Sequence, residues 1–299
     1  MEKIYYIPTD KKMLSLTFDD GPNNNLTPII LDILKNYNVK ATFFMLVENI
    51  IYHPHILKRV IQEGHNIELH GYNHISFSAY SNDQTYQLIE KCIQILNQLN
   101  IKPFYFRPPY GTLSPALDPV INKFNLMPVG WTIMRKDYQP IRPIKKANSI
   151  ILHSSPGKII TMHDGCHSRS HNGATIQMLH IVLPHLMEQG YSFVSIPTLI
   201  KSRSNKQCKI FNNVPLLGHE IIPWENKFYI FFYWDVNFIK DNKPFQLRIM
   251  NNNKIIDMNV NFPNPYAMKE WPQEIRLPIL TITNTKISIK NNNETFIEI

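Results

Sequence analysis

The chain has 299 residues, 43% of them hydrophobic, and 31 Lys and Arg against 23 Asp and Glu give a formal charge of +8. That length and apolar content predict one large or two ordinary domains with a sizeable core and exclude a disordered chain. No apolar run reaches the roughly 20 residues of a bilayer-spanning helix, and the basic residues are scattered, so the charge reads as a solubility property and not as a nucleic-acid surface.

The apolar run Met13 to Leu16 has the length of one buried strand, and Thr17-Phe18-Asp19-Asp20-Gly21-Pro22 follows it. Gly21-Pro22 stops regular structure, so two adjacent carboxylates arrive together at a strand end. Their repulsion requires a cation or a shared proton, unless the segment is a plain surface turn. Thr27 is placed to cap a helix with Pro28 in its first position, running through Ile30, Ile33 and Leu34 to a stop at Asn38. A strand over Ala41 to Leu46 is followed by a helix from Pro54 to Glu63, closed by Gly64. The next strand, Asn66 to Leu69, runs into His70. A long helix spans Asn82 to Leu99, and the strand Phe104 to Phe106 ends at Arg107. A helix around Ser114 to Lys123 precedes a strand from Met127 that ends near Trp131. A helix from about Pro143 to His153 leads to the strand Lys158 to Met162, which ends at His163-Asp164-Gly165. The helix Ala174 to Gln189 and the strand Tyr191 to Ser195 complete the series.

This alternation predicts a parallel α/β architecture with the notable polar residues at the carboxyl ends of the strands. A closed barrel and an open sheet both place their sites on that face. Lys201 to Gln207 reads as a linker. Beyond it, Phe228 to Trp234, Phe245 to Met250, Lys254 to Val260 and Thr281 to Ile289 read as strands between Asn- and Pro-rich turns. The expected organisation is an α/β domain over residues 1–205 and a small β-sandwich over residues 208–299. Cys92, Cys166 and Cys208 show neither metal-ligand spacing nor a disulfide framework, and Met1 to Tyr6 carries no apolar signal segment. The expected location is therefore cytoplasmic, although a chain stripped of its leader would read the same way.

His70 and His74 stand four residues apart, which on a helical turn would put two metal-ligating imidazoles on one face. Histidines that cap or fill a core have the same spacing. With Asp20 the pair makes two nitrogens and one oxygen, the pattern of a catalytic zinc site with an open position. His163, His167 and His171 form a competing set, but Gly165 and Ser168 oppose a helix there, so His167 and His171 read as loop residues. His163 can serve as a general acid or bond a carbonyl structurally. Arg107-Pro108-Pro109-Tyr110-Gly111 places a fixed cation and a rigid turn at a strand end, or a surface ion pair. Asp137 can orient a histidine through its ring N–H, or be a solvated acid.

Together these segments resemble the polysaccharide deacetylases of carbohydrate esterase family 4, over roughly residues 12–200 and in the family's motif order. Thr17 to Pro22 matches the first motif in full. His70 and His74 match the second, with Gly71 where Ser or Thr is usual, and Arg107-Pro108-Pro109-Tyr110 matches the third. The fourth is partial, with Met134 in place of an acid, then Asp137 and Tyr138. The fifth, Met162-His163-Asp164, has Thr161 where a leucine is usual. The resemblance implies a distorted (β/α)7 barrel and a divalent metal, zinc in the first instance, on Asp20, His70 and His74. It implies Asp19 as general base oriented by Arg107, and His163 as general acid oriented by Asp137. The Tyr110 backbone N–H would hold the oxyanion, and Tyr110, Trp131 and Tyr138 would meet the sugar, with core packing as the other reading of Trp131 and Tyr138. The implied reaction removes N-acetyl groups from a GlcNAc-containing glycan. The departures, Tyr138 above all, lead us to expect altered substrate choice with retained activity. An O-acetyl esterase, a small-amide hydrolase and a non-catalytic carbohydrate-binding protein are the alternatives.

Overall fold

A computed structural model describes residues 4–7, 9–112, 114, 116–165 and 172–203, and after them only the backbone of the strands between Lys209 and Glu298. The chain divides into two compact units, the first being Met1–Ser204. In chain order this unit contains β1 (Met13–Asp19), α1 (Thr27–Asn36), β2 (Thr42–Met45), α2 (Val47–Tyr52), α3 (Pro54–Gln62), β3 (Asn66–Leu69), α4 (Asn82–Gln98) and β4 (Tyr105–Phe106). It continues with α5 (Leu117–Lys123), β5 (Met127–Pro128), β6 (Ile133–Met134), α6 (Pro143–Leu152), β7 (Ile159–His163), α7 (Asn172–Glu188), β8 (Ser192–Phe193) and α8 (Ile196–Lys201).

The strands make one parallel sheet in the order β5-β4-β3-β2-β1-β7-β6, with β8 joining the start of β1. The sheet curls into a half-barrel, and near its ends Ile4 bridges to Val129 and Tyr6 to Lys158. β1 is central and buried on both faces, as strands covered by crossover helices must be. Alternation sends Leu14, Leu16 and Phe18 into a core with Ile30, Leu31 and Leu34 of α1. The opposite face of β1 carries Ser15, Thr17 and Asp19, all buried. On that side lie Phe44, Tyr105, Val129, Trp131 and Ile159, a second cluster beneath the site.

The departures from the sequence reading are short elements. β6 has two residues, and α2 and α8 have six each, too few for periodicity to show. Thr27 does not cap α1, because Leu26 holds that position and the Thr27 hydroxyl is turned to Asp164. His70 to His74 is no helical turn: Gly71 has φ of 106°, far from the helical region, and the loop bends instead. His167, His171, Cys166 and Cys208, and most of the expected linker, lie outside the described residues.

The second unit contributes β9 (Lys209–Phe211), β10 (Val214–Trp224), β11 (Lys227–Trp234), β12 (Phe245–Asn251), β13 (Lys254–Val260), β14 (Leu277–Ile279), β15 (Ile287–Asn291) and β16 (Glu294–Glu298). They pair antiparallel in two four-stranded sheets, β14-β11-β10-β9 and β13-β12-β15-β16. Of the strand expected at Thr281 to Ile289, residues 281–286 lie outside the described residues.

Only Leu69 and Phe106 pair between β3 and β4. Glu68 strengthens that thin seam: its Oε2 accepts the N–H groups of Phe104 at 2.9 Å and Tyr105 at 2.8 Å. Burial raises the Glu68 carboxyl from 4.5 to about 7, against the bonds from Tyr105, Asn66 and Phe104. A folded-state pKa above the unfolded one contributes stability that is complete below the unfolded value and lost as pH rises to the folded one. Thermal unfolding of wild type should therefore lose ground to Glu68→Gln as pH rises from 4.5 to about 7. A constant difference across that window would contradict the burial of Glu68.

Candidate active site

Asp19 ends β1, and Asp20 turns the chain with φ of 77°, a left-handed conformation that Asp tolerates better than most residues. The turn parts the two carboxylates, Asp19 toward Arg107 and Asp20 toward His70 and His74. Backbone and side-chain bonds hold it in place. Asp164 N–H donates to the Asp19 carbonyl at 3.1 Å, and Asn49 Nδ2 donates to the Asp20 carbonyl at 2.7 Å. The buried Asp164 carboxylate accepts Gly21 N–H at 3.1 Å and the Thr27 hydroxyl at 2.7 Å. Burial, against the Thr27 bond and with the negative charge of Asp20, pushes the Asp164 carboxyl up to about 7. The two chain segments touch so closely that a Cβ on Gly21 would meet the Asp164 carboxylate and one on Gly165 would meet the Asp20 carbonyl.

The histidine loop is positioned by α2. Val47 N–H donates to the Gly71 carbonyl at 3.0 Å and Glu48 N–H to the Tyr72 carbonyl at 2.9 Å. His70 Nδ1 lies 2.6 Å from the Arg107 carbonyl. A carbonyl only accepts, so Nδ1 carries the proton, and in the neutral ring Nε2 presents a lone pair. That Nε2 lies 3.2 Å from Asp20 Oδ1, and His74 Nε2 lies 3.3 Å from the same oxygen. Oδ1 is buried and finds no donor in hydrogen-bonding geometry, so the contacts are electrostatic. Burial opposes the Asp20 charge, but His70, His163 and His74 outweigh it and hold the carboxyl at about 2. That pull is exerted by protonated imidazoles; were both rings neutral, the oxygen would face their lone pairs and a bound cation would have to supply the positive charge. The three ligand atoms lie within 4.8 Å of one another, the one such group among the described residues. Two imidazoles and one carboxylate fit a divalent metal with an open coordination position.

Arg107 is fully buried, 0% exposed. Its Nη1 donates to Asp19 Oδ1 at 2.6 Å and to Thr17 Oγ1 at 2.8 Å. Nε donates to the Val129 carbonyl at 3.2 Å and Nη2 to the Gly130 carbonyl at 2.8 Å. The guanidinium lies over the Phe44 ring, 4.0 Å from its centroid. Burial lowers its pKa while Asp19 opposes the shift, so the cation is held by its partners.

Asp19 and His163 are register partners on β1 and β7, so their side chains stand beside each other on one face. His163 Nδ1 lies 2.8 Å from Asp137 Oδ1. Asp137 Oδ2 accepts the His163 backbone N–H and the Thr175 hydroxyl, each at 2.8 Å. Burial lowers the His163 pKa, but Asp137, then Asp20 and Asp19, outweigh it and raise it to about 10. The ring is a cation at neutral pH, with its Nδ1–H on Asp137 and its Nε2–H available for donation.

Tyr110 occupies a left-handed position, φ 62°, in the turn Pro109–Gly111 and is 59% exposed. Its ring meets that of His74 edge-on, with centroids 4.4 Å apart. Tyr138 is half-buried and meets the His163 ring edge-on at 5.0 Å. Trp131 is only 9% exposed and packs beneath Gly111, so it supports the site from below and offers no open face. The structure thus brings together Asp19, Asp20, His70, His74, Arg107, Tyr110, Asp137, Tyr138 and His163. Sequence reasoning missed Thr175, Asn49 and the carbonyl partners of Arg107, none of which carries a local pattern.

Gly165→Ala, which pushes a methyl group into the Asp20 carbonyl, should weaken binding of Zn2+ at least about tenfold by titration calorimetry, in the range seen when groups orienting a metal ligand are lost. Unchanged binding would show that the Asp20 turn yields freely.

A family profile described as polysaccharide deacetylase matches residues 6–129. A peptidoglycan-N-acetylglucosamine deacetylase of Bacillus cereus is 34% identical over 201 residues, 67% of this chain and 72% of that protein. Among solved structures, a peptidoglycan N-acetylglucosamine deacetylase superposes with a TM-score of 0.62 and 34% identity over 69% of this chain and 95% of its own. A family 4 acetyl xylan esterase from Clostridium thermocellum, in complex with a cobalt ion, gives 0.58 and 32% over 63% and 90%. The chain belongs to the polysaccharide deacetylase family, carbohydrate esterase family 4.

Proposed function

We propose that this protein is a metal-dependent N-deacetylase of GlcNAc-containing glycans. The observation that carries this reading is the pairing of Asp19 with Arg107 and of His163 with Asp137 on neighbouring strands beside the Asp20, His70 and His74 cluster. Zinc suits two imidazoles and a carboxylate, and a divalent cation there supplies Lewis acidity that acidifies water and polarises an acyl oxygen.

The residues divide the remaining work. Arg107 engages Asp19 Oδ1, which leaves Oδ2 to take a proton from the attacking water. The negative charge that then grows on the acetyl oxygen is met by the Tyr110 backbone N–H, held in its left-handed turn against His74. His163 gives its Nε2 proton to the departing group. An amine leaves poorly without that proton, and the raised pKa of His163 keeps it available. Tyr138 flanks this proton donor and is the residue placed to shape the sugar-facing wall. The similarity to an acetyl xylan esterase favours O-acetyl hydrolysis as the second reading. We assign catalysis to residues 1–205 and an accessory β-sandwich role to residues 208–299.

Incubation with N-acetyl-chitooligosaccharides and with peptidoglycan fragments should release acetate and a free amine. EDTA should stop the reaction and added Zn2+ restore it, and Asp19→Asn should slow it by about 10²–10⁴, the range for loss of a general base. Acetate release that survives Asp19→Asn would contradict the assignment, and release from an O-acetylated xylan with none from the N-acetylated substrates would establish the ester reading.

His163 acts in its protonated form, so activity is present below its pKa and lost above it. Asp137→Asn removes the carboxylate that most raises that pKa. The alkaline limb of the pH–rate profile should move to lower pH in this variant. An alkaline limb that stays in place would remove His163 from the role of acid.

A further inference from the structure

Thr161 is the departure from the family's fifth motif that the proposed mechanism leaves unused. It is buried on β7 directly opposite Thr17 on β1, one layer below the register pair of Asp19 and His163. The Thr17 and Thr161 hydroxyl oxygens lie 3.0 Å apart. Thr17 Oγ1 also donates to the Ile160 carbonyl at 3.0 Å and accepts from Arg107 Nη1 at 2.8 Å. A hydroxyl has one proton and two lone pairs. With its proton on Ile160, Thr17 can accept from both Arg107 and Thr161, and every site on that oxygen is then filled.

The same Nη1 of Arg107 that reaches Thr17 also reaches Asp19 Oδ1. The Thr17 oxygen is therefore the contact on the Asp19-facing nitrogen itself that adds to the Val129 and Gly130 carbonyls in fixing where the guanidinium presents itself to the base. Without Thr161, the Thr17 hydroxyl would keep its bonds to the Ile160 carbonyl and to Arg107 but would have one lone pair unfilled in a buried site. A leucine-like side chain at 161 would fill space but supply no proton.

We propose that Thr161 is a positioning residue, whose hydroxyl locks Thr17 and through it holds Arg107 against Asp19. The catalytic part of this inference rests on the deacetylase reading above; the positioning part rests on the bonds alone.

Two substitutions separate the hydroxyl from the volume. Thr161→Val keeps the β-branched shape in the strand and removes the donor, and Thr161→Ser keeps the donor. With N-acetyl-chitooligosaccharide as substrate, Thr161→Val should lower kcat about tenfold and leave KM within about twofold, the pattern of a loss felt in the transition state. Thr161→Ser should recover most of that turnover. Crystal structures of wild type and Thr161→Val should show Arg107 Nη1 drawn away from Thr17 or Asp19, or spread over two positions, in the variant. Full turnover in Thr161→Val, or an equal loss in Thr161→Ser, would overturn the proposal. If wild type releases no acetate, the functional reading fails and the crystal comparison alone decides: a displaced Arg107 supports the positioning role, and an unmoved one overturns it.

Discussion

Two carboxylates on consecutive residues are buried at the end of β1, and the site is built around keeping both of them charged there. Buried charge of one sign is tolerated only when each group has a counter-charge within bonding reach. The left-handed turn at Asp20 solves the geometry by sending the two side chains to different partners. Asp19 receives the Arg107 guanidinium, and Asp20 receives two imidazoles in a group that could hold a cation. Removing either partner would leave an unpaired charge in the half-barrel. That is why the surroundings of the turn are so closely tied, by Asp164, Asn49 and two glycines with no room for a side chain.

The parallel sheet then supplies alignment. Side chains at paired positions on β1 and β7 share a face, so Asp19 stands beside His163 and Thr17 beside Thr161. In the proposed mechanism the upper pair holds the base and the acid, and below it Thr17, bonded to Thr161, meets Arg107. The two buried ion pairs have opposite effects. Arg107 fixes the Asp19 carboxylate, whereas Asp137 raises the His163 pKa to about 10. Asp19 and His163, set side by side by one register and each with its own partner, have the geometry that the proposed proton transfer needs without either group moving far.

Much of this was legible in the sequence because strand ends punctuate themselves. Asp19-Asp20 before Gly21-Pro22, His70 after Leu69, Arg107 after Phe106 and His163 after Met162 each follow an apolar run, so their common face could be read without coordinates. The helical turn expected at His70–His74 was not found, because Gly71 at φ 106° bends the loop and the two rings converge through the loop's own path. The part that was not legible is the supporting shell. Val47 and Glu48 act through backbone N–H groups, and Val129 and Gly130 through carbonyls. Such groups are present at nearly every position, so no residue type marks them. Thr175 and Thr161 are ordinary threonines whose meaning comes only from what lies across the sheet or on the next helix. Trp131 illustrates the converse: its type suggested a sugar platform or core packing, and it lies buried under Gly111, as the second reading expects.

The claim on which the rest stands is that a cation joins Asp20, His70 and His74. Anomalous diffraction at the zinc absorption edge, on crystals of the full chain grown with zinc, tests it most directly. A single strong peak bounded by the Asp20 carboxylate and the Nε2 atoms of His70 and His74 is expected. An empty site there, or a peak held instead by His163, His167 and His171, would contradict it.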